Sequence, residues 1–236
     1  MEQNERYARQ LMLPEWGDKG QNALHKARVL VVGAGGLGSP IATYLTAAGV
    51  GTLGLADADK VSVSNLQRQV LYHETQVGLP KVKCAAERLR ALNSEVEIVC
   101  HECFVTPENV RQLLEGYDYV IDACDNFSTR FLLNDSCLEM GKVYIYGSIC
   151  GLEGQVSVFG LPDKDGRIRS YRELYNEEEL LSMPAPSKGV MGITPSVVGS
   201  VDVNQLLALC AGYGPPLIGR LWTIDLRTME SALIEF

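Results

Sequence analysis

Between Arg28 and Gly38 the chain reads RVLVV and then GAGGLG, and no other stretch constrains the fold as tightly. Arg28 to Val32 is a short, continuous apolar run, the pattern of a strand buried on both faces. The glycines follow without a spacer, and the spacing predicts a helix from about Ser39 to Ala48 that stops at Gly49. Strand, glycine turn and helix in that order open a βαβ unit. Glycines let the backbone turn sharply and approach a phosphate, and the start of the helix favours negative charge. Asp57 ends a second predicted strand, Thr52 to Ala56, and lies 24 residues after Gly33, where an acid usually holds ribose hydroxyls. These features together indicate an adenine nucleotide. They do not separate a dinucleotide from ATP.

The remainder extends the same grammar. Helices are expected at Lys81 to Leu92, where Val82, Ala85, Ala86 and Leu89 share a face, at Pro107 to Leu114 with Thr106 as N-cap, and at Phe127 to Met140. Strands are expected at Val96 to Val99, Tyr119 to Ala123 and Val143 to Tyr146. Beyond that the pattern changes. Gln155 to Phe159 alternates polar and apolar residues, and Leu221 to Ile224 and Ala232 to Ile234 are short strands, which we read as antiparallel additions at the sheet edge. Asp163 to Lys188 reads as a long mobile loop with a short helix at Glu177 to Leu181, and Val197 to Leu209 as a last apolar helix. The expected fold is α/β: a Rossmann-like, mostly parallel sheet with helices on both faces, extended by antiparallel strands in the C-terminal half. One domain covers 1–236, with a nucleotide-binding core at about 27–150, the loop at 163–188 and the antiparallel extension at about 155–236.

Composition narrows the partners. The formal net charge of −8 argues against a broad nucleic-acid surface, which needs clustered Lys and Arg. The longest apolar runs are interrupted by Gly, Asp or Ser before the ~20 residues a membrane span requires. Met1 to Tyr7 is polar and has no apolar stretch of a secretory signal. Seven scattered cysteines, an odd number, fit a reducing compartment, so a cytoplasmic location is expected.

The segment after Asp57 favours a triphosphate. Asp57-Ala-Asp59 leads into Ser64-Asn-Leu-Gln-Arg-Gln69, and Lys81 follows in Gly78-Leu-Pro-Lys81. A dinucleotide has no general need for Asn65, Arg68 and Lys81 beside its ribose acid. Phosphate oxygens do: Arg offers a planar fork and Lys a compact charge. Asp122-Ala-Cys-Asp-Asn126 then puts acids at the end of the fourth strand, where such sheets bind ligands, and a carboxylate there suits Mg²⁺. Asp122 and Asp125 are both candidates, one of them as a helix cap; Asp125 is favoured as the metal ligand.

At these residues the chain resembles the ThiF/MoeB/HesA family, itself similar to the adenylation half of ubiquitin-activating enzymes. Arg6-Tyr-Ala-Arg-Gln10, the GAGGLGS loop, DxD with SNLQRQ, GLPK, DACDN and Gly189-Val-Met-Gly-Ile-Thr-Pro-Ser-Val-Val-Gly-Ser200 occur in the family's order, so the resemblance spans about Arg6 to Phe236. The resemblance implies that Gly33, Gly35, Gly36 and Gly38 shape the nucleotide loop and that Asp57 binds ribose, with Asp59 also in the nucleotide-binding set. It implies that Asn65, Arg68 and Lys81 contact phosphates, that Asp125 holds Mg²⁺, and that Arg9 reaches the nucleotide of a partner subunit in a homodimer. The implied reaction is ATP-dependent: a substrate carboxylate attacks the α-phosphorus and pyrophosphate leaves. The implied substrate is the C-terminal glycine of a small ubiquitin-like sulfur carrier ending in Gly-Gly. The same chemistry on a small-molecule carboxylate or another protein, or a non-catalytic scaffold, are the alternatives, and a redox Rossmann enzyme is the remotest.

Two departures from the family stand out. Many relatives hold zinc with two C-x-x-C pairs; here the first falls on Ser170 and Glu173, and the second has no counterpart, so no structural zinc is expected. Cys100-His-Glu-Cys103 has no partner pair, and we read it as two packing cysteines. The relay cysteine of sulfur-transferring members is replaced by Ala185. Cys124, Cys137 and Cys210 lie in apolar surroundings and are expected in the core.

Overall fold

The computed structural model describes residues 5–184 and 189–236. Among these residues, eight strands form one sheet in the spatial order β3-β2-β1-β4-β5-β6-β7-β8. The strands β1 (Arg28–Val32), β2 (Thr52–Ala56), β3 (Glu97–His101), β4 (Tyr119–Asp122) and β5 (Val143–Cys150) run parallel. The apolar runs that announced β1 and β2 are buried on both faces because helices cover both sides of the sheet. Alternate β1 residues divide between two cores: Val29 and Val31 join one, Leu30 and Val32 the other. The first core contains α3 (Gly38–Ala48), α4 (Lys81–Leu92) and α9 (Ile193–Ala211). The second contains α5 (Val110–Glu115) and α6 (Phe127–Glu139).

After β5 the chain reverses at Gly151, whose φ of +61° suits glycine, and β6 (Glu153–Phe159) pairs antiparallel. β7 (Arg220–Asp225) and β8 (Glu230–Glu235) continue antiparallel to the sheet edge. Two N-terminal helices, α1 (Ala8–Leu11) and α2 (Gly17–Lys26), were not assigned from sequence. Tyr7 ties this arm to the body. Its ring packs where a side chain on Gly49 would stand, and its hydroxyl donates to Glu95 Oε2 at 2.9 Å.

Several sequence expectations need correction. The third helix begins at Val110, not Pro107, because the Asn109 side chain folds back to accept the Thr106 N–H at 2.9 Å; Thr106 is not a cap. β5 runs four residues beyond Tyr146, since hairpin pairing with β6 carries it past the parallel ladder. The last helix starts at Ile193 and is 19 residues long, with Pro195 in its first turn where no N–H is needed. It is apolar and long enough to cross a bilayer by composition, yet it packs on α3, α2 and the β5–β6 hairpin, which explains its hydropathy.

The described part of the expected loop is anchored. It carries α7 (Tyr171–Leu174) as well as α8 (Glu177–Ser182). Ser170 and Glu173, at the positions of the family's first zinc pair, form a reciprocal capping box at the start of α7. Tyr171 is buried against Phe131, Tyr146 and Phe159. Arg169 pairs with Asp163, and Arg172 with Asp135, each at 2.6 Å. Ala185 lies outside the described residues.

Candidate active site

The parallel strand order reverses between β1 and β4, and this switch point is where ligands bind such sheets. The ladder bonds bring Gly33, Asp57 and Ala123 to one level, each a residue past its strand: Gly33 N–H donates to Ala56 O and Ala123 N–H to Val32 O. Gly33 has φ +99°, and a Cβ there would lie 2.4 Å from the Ala123 carbonyl oxygen. A Cβ on Gly38 would lie 2.0 Å from the Gly33 carbonyl oxygen. These two glycines close the turn. Gly35 and Gly36 are less crowded: the nearest atom to a Cβ on Gly35 is Gln69 Nε2 at 3.5 Å, and a Cβ on Gly36 would make ordinary contact with Pro195 at 3.4 Å. In the first turn of α3, Ser39 donates to Gly35 O at 3.0 Å, Ile41 donates to Leu37 O at 3.2 Å and Pro40 has no N–H, so the amides that can meet an anion are those of the glycine loop up to Gly38.

Asp57 braces this loop. Its Oδ2 accepts the Ala34 N–H at 2.8 Å and its Oδ1 the Asp59 N–H at 2.7 Å. Each oxygen retains acceptor capacity for a ribose hydroxyl. Tyr72, buried beneath the loop, donates to the Ala34 carbonyl at 2.6 Å. Burial, and then the charge of Asp57, hold the Tyr72 hydroxyl far above the usual phenol range, so it remains a donor. Lys81 opens α4 with its side chain buried. Its Nζ lies 2.8 Å from Asp59 and 3.8 Å from Asp57. The acids and the lysine read from sequence therefore form one cluster.

Asn65 and Arg68 sit on a short turn. Asn65 Oδ1 accepts the Ser62 N–H at 3.2 Å, so part of its task is to fold the turn. Arg68 donates to Ser64 O at 3.0 Å, and its Cδ would be 3.6 Å from a Cβ on Gly36, which places the side chain against the glycine loop. The Gly189–Ser200 motif packs on the same turn. A Cβ on Gly192 would lie 2.3 Å from the Gln67 carbonyl oxygen, and Pro195 adjoins Gly36.

On the β4 side the two acids differ. Asp122 is fully buried and engaged: its Oδ2 accepts from Tyr144 at 2.8 Å and faces Arg130 Nε at 3.3 Å, and its Oδ1 accepts the Cys124 N–H at 2.9 Å. Asn126 caps α6 by accepting the Thr129 N–H at 2.9 Å. Asp125 is exposed and its carboxylate makes no hydrogen bond or ion pair with the described residues, so it is available to a metal ion. Mg²⁺ is commonly held by one or two carboxylates together with phosphates, and this donor set fits. Among the described residues there is no group of three or more His, Cys, Asp or Glu placed to hold a metal.

Arg9 is exposed, and its side chain has no hydrogen-bond or ion-pair partner among the described residues. Burial, and then the charge of Asp122, push the Cys124 thiol well above its ordinary value, which makes it a poor nucleophile. Cys137 is buried as expected, whereas Cys124 and Cys210 are only partly so. Cys100 is exposed and donates to Val82 O at 3.4 Å. Sequence reasoning missed Tyr72, Gln69 and Arg130. Gln69 belongs to the SNLQRQ run and Arg130 follows DACDN by four residues, so both stood beside motifs already in view.

Comparison with known proteins identifies the family and the fold. The chain is 44% identical over 227 residues to a sulfur carrier protein adenylyltransferase of Thermus thermophilus, covering 95% of this chain and 84% of that one. It is 44% identical to the probable adenylyltransferase/sulfurtransferase MoeZ of Mycobacterium tuberculosis, over 95% of this chain and 58% of that one. It is 40% identical to the adenylyltransferase and sulfurtransferase MOCS3-2 of Zea mays, over 98% of this chain and 47% of that one, so it spans about half the length of that relative. Among solved structures, PaaA superposes with a TM-score of 0.84 at 25% identity, covering 99% of this chain and 73% of that one. Escherichia coli MccB superposes with a TM-score of 0.83 at 20% identity, covering 98% and 71%, and shows the same fold. Residues 7–235 match the ThiF family, and the chain belongs to it.

Proposed function

We propose that the protein is an ATP-dependent adenylyltransferase that activates the C-terminal glycine of a small ubiquitin-like sulfur carrier as an acyl-adenylate. The observation that carries this reading is the convergence, at one switch point, of an open glycine loop, the Asp57–Lys81 cluster, Arg68 and an unpartnered Asp125. The carrier follows from the relatives, one of which is named for that substrate.

Each chain residue has a part. Gly35, Gly36 and Gly38 receive phosphate oxygens on the backbone N–H groups of the loop that leads into α3. Asp57 holds the ribose, with Asp59 beside it. Arg68 and Lys81 neutralise phosphate charge, and Asn65 holds the turn that aims Arg68. Asp125 holds Mg²⁺, which when bound neutralises charge on the triphosphate. A carrier carboxylate oxygen then bonds to the α-phosphorus as the bond to the bridging oxygen breaks, and pyrophosphate departs. Such a reaction needs alignment and charge neutralisation and no protein nucleophile, consistent with the high thiol pKa of Cys124.

In this reading the enzyme is a cytoplasmic homodimer, and the free side chain of Arg9 supports a role toward the partner's nucleotide. Calorimetry with ATP, Mg²⁺ and NAD tests the nucleotide, and pyrophosphate exchange with a Gly-Gly carrier tests the substrate. Tight NAD binding with no response to ATP would overturn the reading.

A further inference from the structure

The free state of Asp125 has a structural cause. Arg130, on the first turn of α6, is buried and reaches three elements. Its Nη1 donates to Ser148 Oγ on β5 at 2.8 Å, its Nη2 donates to the Cys124 carbonyl at 3.0 Å, and its Nε faces Asp122 at 3.3 Å. The faces of Tyr146 and Phe127 cover the guanidinium at 5.4 and 5.9 Å. Asp122 in turn accepts the Cys124 N–H. Residue 124 is therefore held on both sides, its N–H by Asp122 and its carbonyl by Arg130. Residue 126 is held by its capping bonds to Ser128 and Thr129. Asp125 stands between two fixed points, with none of its own carboxylate spent on fixing them.

We infer that Arg130 and Asp122 are a positioning pair that presents the Asp125 carboxylate to the metal ion of metal–ATP; the inference rests on the proposed role of Asp125. A pair that only joined β4 to α6 would have no use for the Cys124 peptide. This pair uses both its N–H and its carbonyl. The pair has no part in holding nucleotide or carrier in the proposed reaction. Its effect is on the main chain that carries the ligand, and a carboxylate held in place loses little freedom when it binds.

The test is binding of Mn²⁺, followed by electron paramagnetic resonance of the free ion with a non-hydrolysable ATP analogue present, alongside AMP binding measured without metal. Removing Arg130 alone would leave the buried Asp122 carboxylate without its cationic partner and destabilise the fold. The main variant is therefore Arg130→Gln with Asp122→Asn, which removes both charges. Its Mn²⁺ affinity is expected to fall by roughly 10- to 100-fold, as when the partners that orient a metal ligand are lost. Metal-free AMP affinity, which depends on the glycine loop and Asp57, stays within about twofold on the same argument. Ser148→Ala, which removes one contact of Arg130, is the milder variant and decides the matter if the double variant does not fold. It should weaken Mn²⁺ by about two- to fivefold, less than loss of the whole pair. Unchanged Mn²⁺ affinity in a folded variant, or an equal loss of AMP affinity, would overturn the inference. If the parent protein binds no Mn²⁺ with the nucleotide, the role proposed for Asp125 fails instead.

Discussion

Two glycines of one loop should respond to the same substitution in opposite ways. Gly33→Ala puts a methyl group 2.4 Å from the Ala123 carbonyl oxygen, at a φ of +99°. The backbone conformation costs about 1–2 kcal/mol for a residue with a Cβ. The overlap is with main chain just past the end of β4, which cannot swing aside, and such overpacking costs about 1–3 kcal/mol more. The expected loss is therefore roughly 2–5 kcal/mol, a large part of the ~5–15 kcal/mol that holds a domain folded. Gly35→Ala meets only the Gln69 amide nitrogen at 3.5 Å, so its stability should change by less than about 1 kcal/mol. The new methyl group stands where a phosphate must approach the backbone, so ATP affinity should fall by about tenfold or more. Urea unfolding without ligand and calorimetry with ATP measure the two effects separately. A Gly33→Ala protein as stable as the parent, or a Gly35→Ala protein that binds ATP normally, would refute the reasoning.

Asp202 is fully buried on α9 with both carboxylate oxygens unpartnered, beside Gly147. Burial, and then the charge of Asp122, raise its pKa well above the usual range, with Arg130 opposing. The native state thus holds a proton that the unfolded chain releases, so the contribution to stability is full below the unfolded carboxylate pKa and falls as pH rises toward the folded value. Asp202→Asn should remove that fall, which urea midpoints between pH 4 and 8 would show as curves that separate at the alkaline end; parallel curves would contradict it. Tyr72→Phe leaves the buried Ala34 carbonyl without its 2.6 Å donor and should cost about 1–2 kcal/mol in urea unfolding. Single cysteine-to-alanine variants should retain pyrophosphate exchange, because the proposed reaction uses no thiol; loss of exchange in a well-folded variant would show that one does.

The parallel half of the fold was legible because each element carried a local signature. A continuous apolar run, a glycine turn and an apolar helical face each report on neighbours close in sequence. The acids and bases clustered around Asp57 were legible for the same reason: they sit at strand ends and turn positions that the order of elements brings together. What the sequence hid depends on distant contacts. The capping box at Ser170 became a fixed point because Tyr171 inserts among Phe131, Tyr146 and Phe159, which periodicity does not report. The engagement of Asp122 depends on Arg130 and Tyr144, eight and twenty-two residues away. Asn109 displaced the start of α5 through a side-chain bond that competes with helix formation.

The most direct test of the account is intact-mass analysis of a Gly-Gly carrier after incubation with ATP, Mg²⁺ and the parent or Asp125→Ala protein. The account predicts a carrier heavier by one AMP moiety with the parent. With Asp125→Ala it predicts a yield reduced by about 10²–10³, the usual effect of losing one transition-state charge contact. Equal adduct from both proteins, or none from the parent, would contradict it.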